Sequence, residues 1–351
     1  MAEAHCLERT LESNLPWNKA RINFISKFLI AIISVRTVNL AEIASVFEGR
    51  AKVESHYKRI QRFFRYFELS YTVIAVMVMQ LIAQARPWIL TIDRTQWQLG
   101  EKKLNILTLG IVYKGVAFPI LWIILDKKGN SNTAERIALM EDYIQLFGTS
   151  SILYLCADRE FVGKDWFSYL CRNNIDFRIR AKENTSVPNT RGFKRQAWQL
   201  FMSTRSGEAL VIEQPRLIWG MMLYISGMRL ETGEYLIIIS PSLSYTPMQD
   251  YKNRWEIETL FGCLKSRGFR LEETHITDPD RLKKLIALLA IAFSWAHIVG
   301  EWLAQLKPIN IKKHGRLAKS IFRLGFDHLR RIFVNFDPIA FSFVCNFLSC
   351  T

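Results

Sequence analysis

The chain has 351 residues, half of them hydrophobic, and carries 47 Lys and Arg against 32 Asp and Glu, a formal charge of +15. That is enough apolar material for a real core spread over two or three domains, and it excludes a disordered or low-complexity chain. The positive excess recurs from Lys19 to Arg331 rather than in one tail, which points to a polyanionic partner, nucleic acid first.

Three apolar runs, 24–35, 71–83 and 285–300, are shorter than the roughly 20 residues a bilayer requires, and Lys27, His297 and nearby basic residues interrupt or crowd them. They are read as buried core helices, with no membrane partner. The amino terminus lacks a basic region followed by an apolar segment, so no secretory signal and a cytoplasmic location are expected. The six cysteines show no close-paired spacing and no matching His pair, so reduced core thiols are expected rather than a zinc site or a disulfide framework.

Residues 1–86 are read as an all-α unit. Apolar residues recur at three- and four-residue steps in Phe24, Ile25, Phe28, Leu29 and Ile32. Residues 39–49 form a helix capped by Asn39 and ended by Gly49, and 52–67 a second helix that carries Lys58, Arg59, Arg62 and Arg65. A short helix, a turn and a basic helix resemble a helix-turn-helix unit whose second helix enters the major groove. A small helical bundle with a solvated basic face remains the alternative.

Pro87 breaks this pattern and strands begin. Residues 88–92 form an apolar strand that ends at Asp93, followed by strands over 105–113 and 116–125 with a turn at Lys114-Gly115. A helix over 132–147 precedes a fourth strand, 151–156, which runs into Asp158. A helix over 163–173 and a strand over 177–180 complete the order of three strands, helix, strand, helix, strand. From about 184 to 240 short β-rich pieces separated by glycines suggest an inserted β subdomain. Thr246-Pro247 then opens a long helix closed by Gly268, and 281–306 forms a further buried helix.

The long helix carries the most informative pattern. At about 100° per residue, Tyr251, Arg254, Glu258 and Lys265 return to one face within roughly 60°, placing one carboxylate among two cations and a phenol. That suits a grip on a metal ion and nucleic-acid phosphates together. Glu256 points to another face. Carboxylates where buried strands end can converge rigidly across a sheet, as two-metal phosphoryl transfer requires, and Asp93 and Asp158 meet that condition with Glu258 as third ligand. Hard oxygen donors suit Mg²⁺ or Mn²⁺, two ions in all. Taken singly, each aspartate is more often a turn cap. Glu160 reads as a salt-bridge partner, with Arg94 and Arg159 offsetting the carboxylates, and Trp97, Trp122, Trp219 and Trp255 are candidates to stack on an unpaired base. No phosphate-cradling glycine loop or nucleophile elbow is present in the sequence.

The spacing of Tyr251, Arg254, Glu258 and Lys265 is similar to the Y-R-E-K pattern of bacterial DDE transposases of insertion-sequence family four. Asp93-Arg-Thr and Ala-Asp158-Arg-Glu-Phe resemble that family's two aspartate segments. The resemblance covers residues 87–306. It implies a ribonuclease H-like mixed-sheet α/β core with a β-rich insertion, preceded by an all-α DNA-binding region. It also implies a metal triad of Asp93, Asp158 and Glu258, and contacts of Tyr251, Arg254 and Lys265 with DNA at the element's end. The implied activity is cut-and-paste transposition through a hairpin, on terminal inverted repeats and target DNA, by a homodimer. In the region 307–351 the sequence after Arg331 is apolar and short where relatives often carry a longer helical tail, which leaves a truncated copy open. A DNA-binding protein that no longer cuts, and a related nuclease that cleaves without joining, are the alternatives.

Overall fold

The protein is described by a computed structural model covering residues 2–99, 101–125, 127, 129–188, 191–313 and 315–349. It opens with helices α1 (Ala2–Glu12), α2 (Lys19–Val35), α3 (Leu40–Ser45), α4 (Val53–Tyr66) and α5 (Tyr71–Ile82). Asn18, Asn39 and Ser70 start α2, α3 and α5 by accepting backbone N–H groups that the first turn leaves unpaired. Phe24 of α2 stacks on Phe63 of α4 at 4.2 Å and meets Phe47 at 5.5 Å, so aromatic packing holds the short helices together.

The strands form one mixed sheet of order β3-β2-β1-β4-β5-β10-β9-β8. Strands β1 (Trp88–Leu99), β2 (Lys102–Tyr113) and β3 (Val116–Ile124) are an antiparallel meander. Its second turn is made by Lys114 at φ 44° and Gly115 at φ 88°, the left-handed pair that a two-residue hairpin loop demands. Strands β4 (Ile152–Ala157) and β5 (Phe177–Ala181) continue beside β1 in parallel, each reached through a helix, α6 (Thr133–Phe147) and α7 (Lys164–Arg172). The start of α6 is fixed by a reciprocal capping box between Asn132 and Glu135.

The region 184–240 is rich in strands, as expected, but it is not a separate subdomain. Strands β8 (Ala209–Ile218), β9 (Met221–Arg229) and β10 (Tyr235–Ser240) extend the main sheet, with Ile237 of β10 opposite Ala181 of β5. The reason lies in β10, where Ile237, Ile238 and Ile239 are all buried, so both faces of the strand need cover and it sits inside a sheet. Only the hairpin of β6 (Ser186–Pro188) and β7 (Lys194–Gln196) forms a second sheet among the described residues.

Helix α10 (Pro279–Leu306) crosses the molecule, packing on β3, on α5 and on α11 (Ile321–Asn335). By length and composition it could span a membrane, but its most apolar stretch is 83% buried inside the protein. Each fully buried Leu, Ile or Phe on it contributes about 1.5–3 kcal/mol relative to exposure. It meets α11 where Gly300 and Gly325 face backbone of the other helix, and a Cβ on either would overlap Ile321 or Ala296 carbonyl oxygen. The last helix, α12 (Pro338–Cys345), lies against α1, and its Val344 carbonyl accepts from the Trp295 indole at 2.8 Å. The five described cysteines are free, and Cys350 lies outside the described residues. One hydrophobic core runs unbroken from the amino-terminal helices to α12.

Candidate active site

Asp93 and Asp158 are neighbours because β1 and β4 are. The last parallel pair is Ile92 with Ala157, so each aspartate is the next residue on adjacent strands. Only β4 ends there. Strand β1 runs on to Leu99, with Asp93 opposite Thr108 of β2, because Thr95 and Trp97 alternate inward and keep the pattern of a half-buried strand. Asp93 is therefore set within a strand rather than at its end. Its carboxylate accepts the Arg94 N–H at 2.6 Å. Asp158 caps the turn after β4 by accepting the Glu160 N–H at 2.7 Å.

The segment after Pro247 is not one helix. It consists of α8 (Pro247–Lys252), a 3-10 turn over Asn253–Trp255, and α9 (Glu256–Leu264), with Lys265 capping the end. Arg254, in that turn, is 4% exposed and reaches both carboxylates: Nη1 lies 3.5 Å from Asp93 Oδ2 and Nη2 lies 2.5 Å from Glu258 Oε1. Burial pushes Asp93 up to about 7; the Arg94 N–H and the Arg254 charge pull the other way, and Asp158 and Glu258 add to the rise. Burial also raises the Tyr251 hydroxyl, with Arg254 opposing and Asp158 adding. Tyr251, Arg254 and Glu258 thus gather about the two aspartates. Lys265 does not join them: it donates to the Gln96 carbonyl at 2.9 Å, pairs with Glu272 at 3.3 Å and lies over the Trp97 ring. The 3-10 turn and the end of the helix at Leu264 break the ideal periodicity that would have carried it round.

Among the described residues no three His, Cys, Asp or Glu side chains stand close enough together to hold a metal ion. The reason is visible in the hydrogen bonds: a guanidinium occupies the position between Asp93 and Glu258. The donor set nevertheless fits a divalent ion. It offers only hard carboxylate oxygens, and two of its carboxylates already hold a cation, the Arg254 guanidinium.

A family profile described as the transposase DDE domain matches residues 84–295. The chain belongs to that family. No curated protein matches it. Among solved structures it is similar to a piggyBac transposase in a cryo-EM synaptic complex with hairpin DNA. The TM-score is 0.47 and the identity 11%, over 95% of this chain and 76% of that one. Family membership makes the chain a transposase, an enzyme of DNA phosphoryl transfer whose kind uses divalent metal ions.

In this transposase the acidic pair is flanked by a polar brace. Arg94 bonds Glu160 at 3.2 Å, Asn130 at 3.0 Å and Asn105 at 3.2 Å, which ties the loop after Asp158 to β2. Arg159 is exposed and lines a cavity of about 270 Å³ with Arg180 and Lys182. Of the four tryptophans, Trp97 and Trp122 are buried and Trp219 packs on Phe167, while Trp255 is 54% exposed with Arg254 over its ring at 4.1 Å.

The basic helix α4 divides its charges. Lys58, Arg62 and Arg65 are exposed and line a groove of about 600 Å³ opposite His275 and Arg281. Arg59 turns the other way, over the Phe24 ring at 5.7 Å and toward Asn23 at 3.5 Å. The residues that the sequence did not single out are the buried Arg178 and its half-buried partner Asp250, whose only signal was an arginine inside an apolar strand and an aspartate directly before Tyr251.

Proposed function

We propose that this transposase belongs to insertion-sequence family four, Y-R-E-K group, with a ribonuclease H-like core and an amino-terminal helical region that binds the terminal inverted repeats of its own element. Asp93, Asp158 and Glu258 would hold Mg²⁺ or Mn²⁺, which would supply Lewis acidity for attack of water or a 3′-hydroxyl on a phosphodiester. The observation that carries this reading is the juxtaposition of Asp93 and Asp158 on adjacent strands with Glu258 linked to Asp93 through Arg254.

The chain's own residues have separable tasks. Asp93, largely shielded from water, sits at about 7 even with Arg254 beside it, so a divalent ion would be needed to hold it fully ionised near neutral pH. Glu258 is 45% exposed along its side chain, so it is free to rotate toward an ion when Arg254 turns to a DNA phosphate. Tyr251 and Lys265 flank the path of the DNA end, and Lys58, Arg62 and Arg65 contact the duplex backbone. The route is cut-and-paste through a hairpin, by a homodimer, in the cytoplasm.

The test uses purified protein, Mg²⁺ and DNA bearing the element's ends. Asp93→Ala, Asp158→Ala and Glu258→Ala each abolish cleavage and keep binding. Full activity in any one removes that residue from the site. Metal-independent binding with no strand products identifies a binder that no longer cuts, and cleavage without joining of 3′ ends identifies a nuclease.

A further inference from the structure

A second polar cluster joins the sheet to the segment that carries Arg254 and Glu258. Among the described residues none of its members hydrogen-bonds Asp93, Asp158 or Glu258. At its centre Arg178, on β5, is 5% exposed. Its guanidinium donates to Asp176 Oδ1 at 2.6 Å, to the Phe177 carbonyl at 2.9 Å and, through Nε, to Asp250 Oδ2 at 3.1 Å, and it lies over the Tyr154 ring of β4. Asp250, in α8, also accepts from the Ser244 hydroxyl at 2.8 Å and the Thr246 hydroxyl at 3.1 Å. The Asp250 carbonyl accepts from the Cys156 thiol at 3.5 Å and the Asn253 amide at 3.1 Å, and that amide also donates to the Tyr154 hydroxyl at 2.9 Å.

The last turn of α8 is therefore pinned to β4 and β5 at two adjacent points, immediately before Arg254. Asp176 alone would neutralise Arg178. A second carboxylate from another element adds little to charge balance, and an ion pair with one partner half-buried adds little net stability, so what Asp250 supplies is location. Location matters here because the chain then leaves α-helical geometry in the 3-10 turn, where it can pivot. A metal site tolerates only about 0.5 Å of misplacement in its ligands.

We infer that the Arg178–Asp250 pair is a positioning clamp that sets where Arg254 and Glu258 stand over Asp93 and Asp158, with Asn253–Tyr154 as its second pin. The inference rests on the reading of Asp93, Asp158 and Glu258 as ligands of a divalent ion. Neither Arg178 nor Asp250 touches the reacting atoms.

Iron-directed backbone cleavage tests it. Ferrous ion, with ascorbate and hydrogen peroxide, is added to the full chain, where it cuts backbone next to the site that binds it. The wild-type protein is expected to give cuts beside Asp93, Asp158 and Glu258. Asp250→Ala keeps the first two and loses the third, with circular dichroism and metal-free binding of a duplex unchanged. Tyr154→Phe, which removes only the acceptor of the Asn253 amide, weakens the third cut and decides the matter if Asp250→Ala does not fold. A third cut of wild-type strength in the folded variant overturns the clamp while leaving the metal site standing. Absence of all three cuts in the wild-type protein overturns the metal site and the clamp together.

Discussion

Arg254 and Asp93 face one another at 3.5 Å across 161 residues of sequence, a guanidinium from a helical turn set against a carboxylate within a strand. Removing the cation leaves a buried acid with no charge partner. Arg254→Ala is expected to destabilise the metal-free protein by about 1–3 kcal/mol, and millimolar Mg²⁺ restores part of the loss. Thermal unfolding with and without Mg²⁺ checks this; a deficit indifferent to Mg²⁺ contradicts the exchange of one cation for another.

The charges of α4 separate in a salt titration of DNA affinity. Each phosphate contact adds about 0.9 to the slope of log K against log salt, so Lys58→Gln and Arg62→Gln each flatten the line by that amount. Arg59→Gln leaves the slope alone and costs about 0.5–1 kcal/mol of stability through the lost ring contact. Equal slopes for all three variants would remove the groove from the DNA path.

The crossing of α10 and α11 depends on two missing side chains. Gly300→Ala or Gly325→Ala forces the helices apart and is expected to cost about 1–3 kcal/mol, with the double variant losing less than the sum because one separation relieves both clashes. Urea unfolding midpoints measure it, and wild-type stability in Gly325→Ala would rule out the close approach.

Glu301 gives the acid limb of stability a local source. Burial alone would raise its carboxyl, yet the His297 ring at 3.3 Å and the hydrogen-bonded Lys114 ammonium at 2.7 Å hold it below its ordinary value of 4.5. A carboxylate depressed in the folded state binds fewer protons there than when unfolded, so its contribution is complete above about 4.5 and drains as the pH falls through the folded value. Lys114→Gln therefore matches the wild type in acid and falls behind it as the pH rises past that window. Unfolding midpoints from about pH 3 to about pH 7 follow the gap; a gap constant with pH contradicts the assignment.

Much of this arrangement was legible because it rests on local chemistry. The Asn39 cap, Lys114-Gly115 and the apolar runs ending near Asp93 and Asp158 each state their geometry within a few residues. What stayed hidden depends on partners far along the chain. Strand β1 looks finished at Asp93 because Arg94 and Gln96 are polar, and the Arg94 brace to Asn105, Asn130 and Glu160 adds to the inward alternation of Thr95 and Trp97 in holding them in the sheet. The break in the helix at Asn253–Trp255 has no glycine or proline to announce it. Beside it lie the pins on Asp250 and Asn253, which no periodicity reports.

The continuous core from α2 through α10 to the sheet has a mechanical consequence. The described residues between the groove on α4 and the acidic pair at β1 and β4 belong to that one core, so on the proposed reading the protein would work as a ruler. Under the proposed function, the number of base pairs between a stretch held at the α4 groove and the phosphodiester to be cut would be fixed by the body of the molecule, and an element whose ends drifted by half a helical turn would present its phosphate on the wrong side of the duplex.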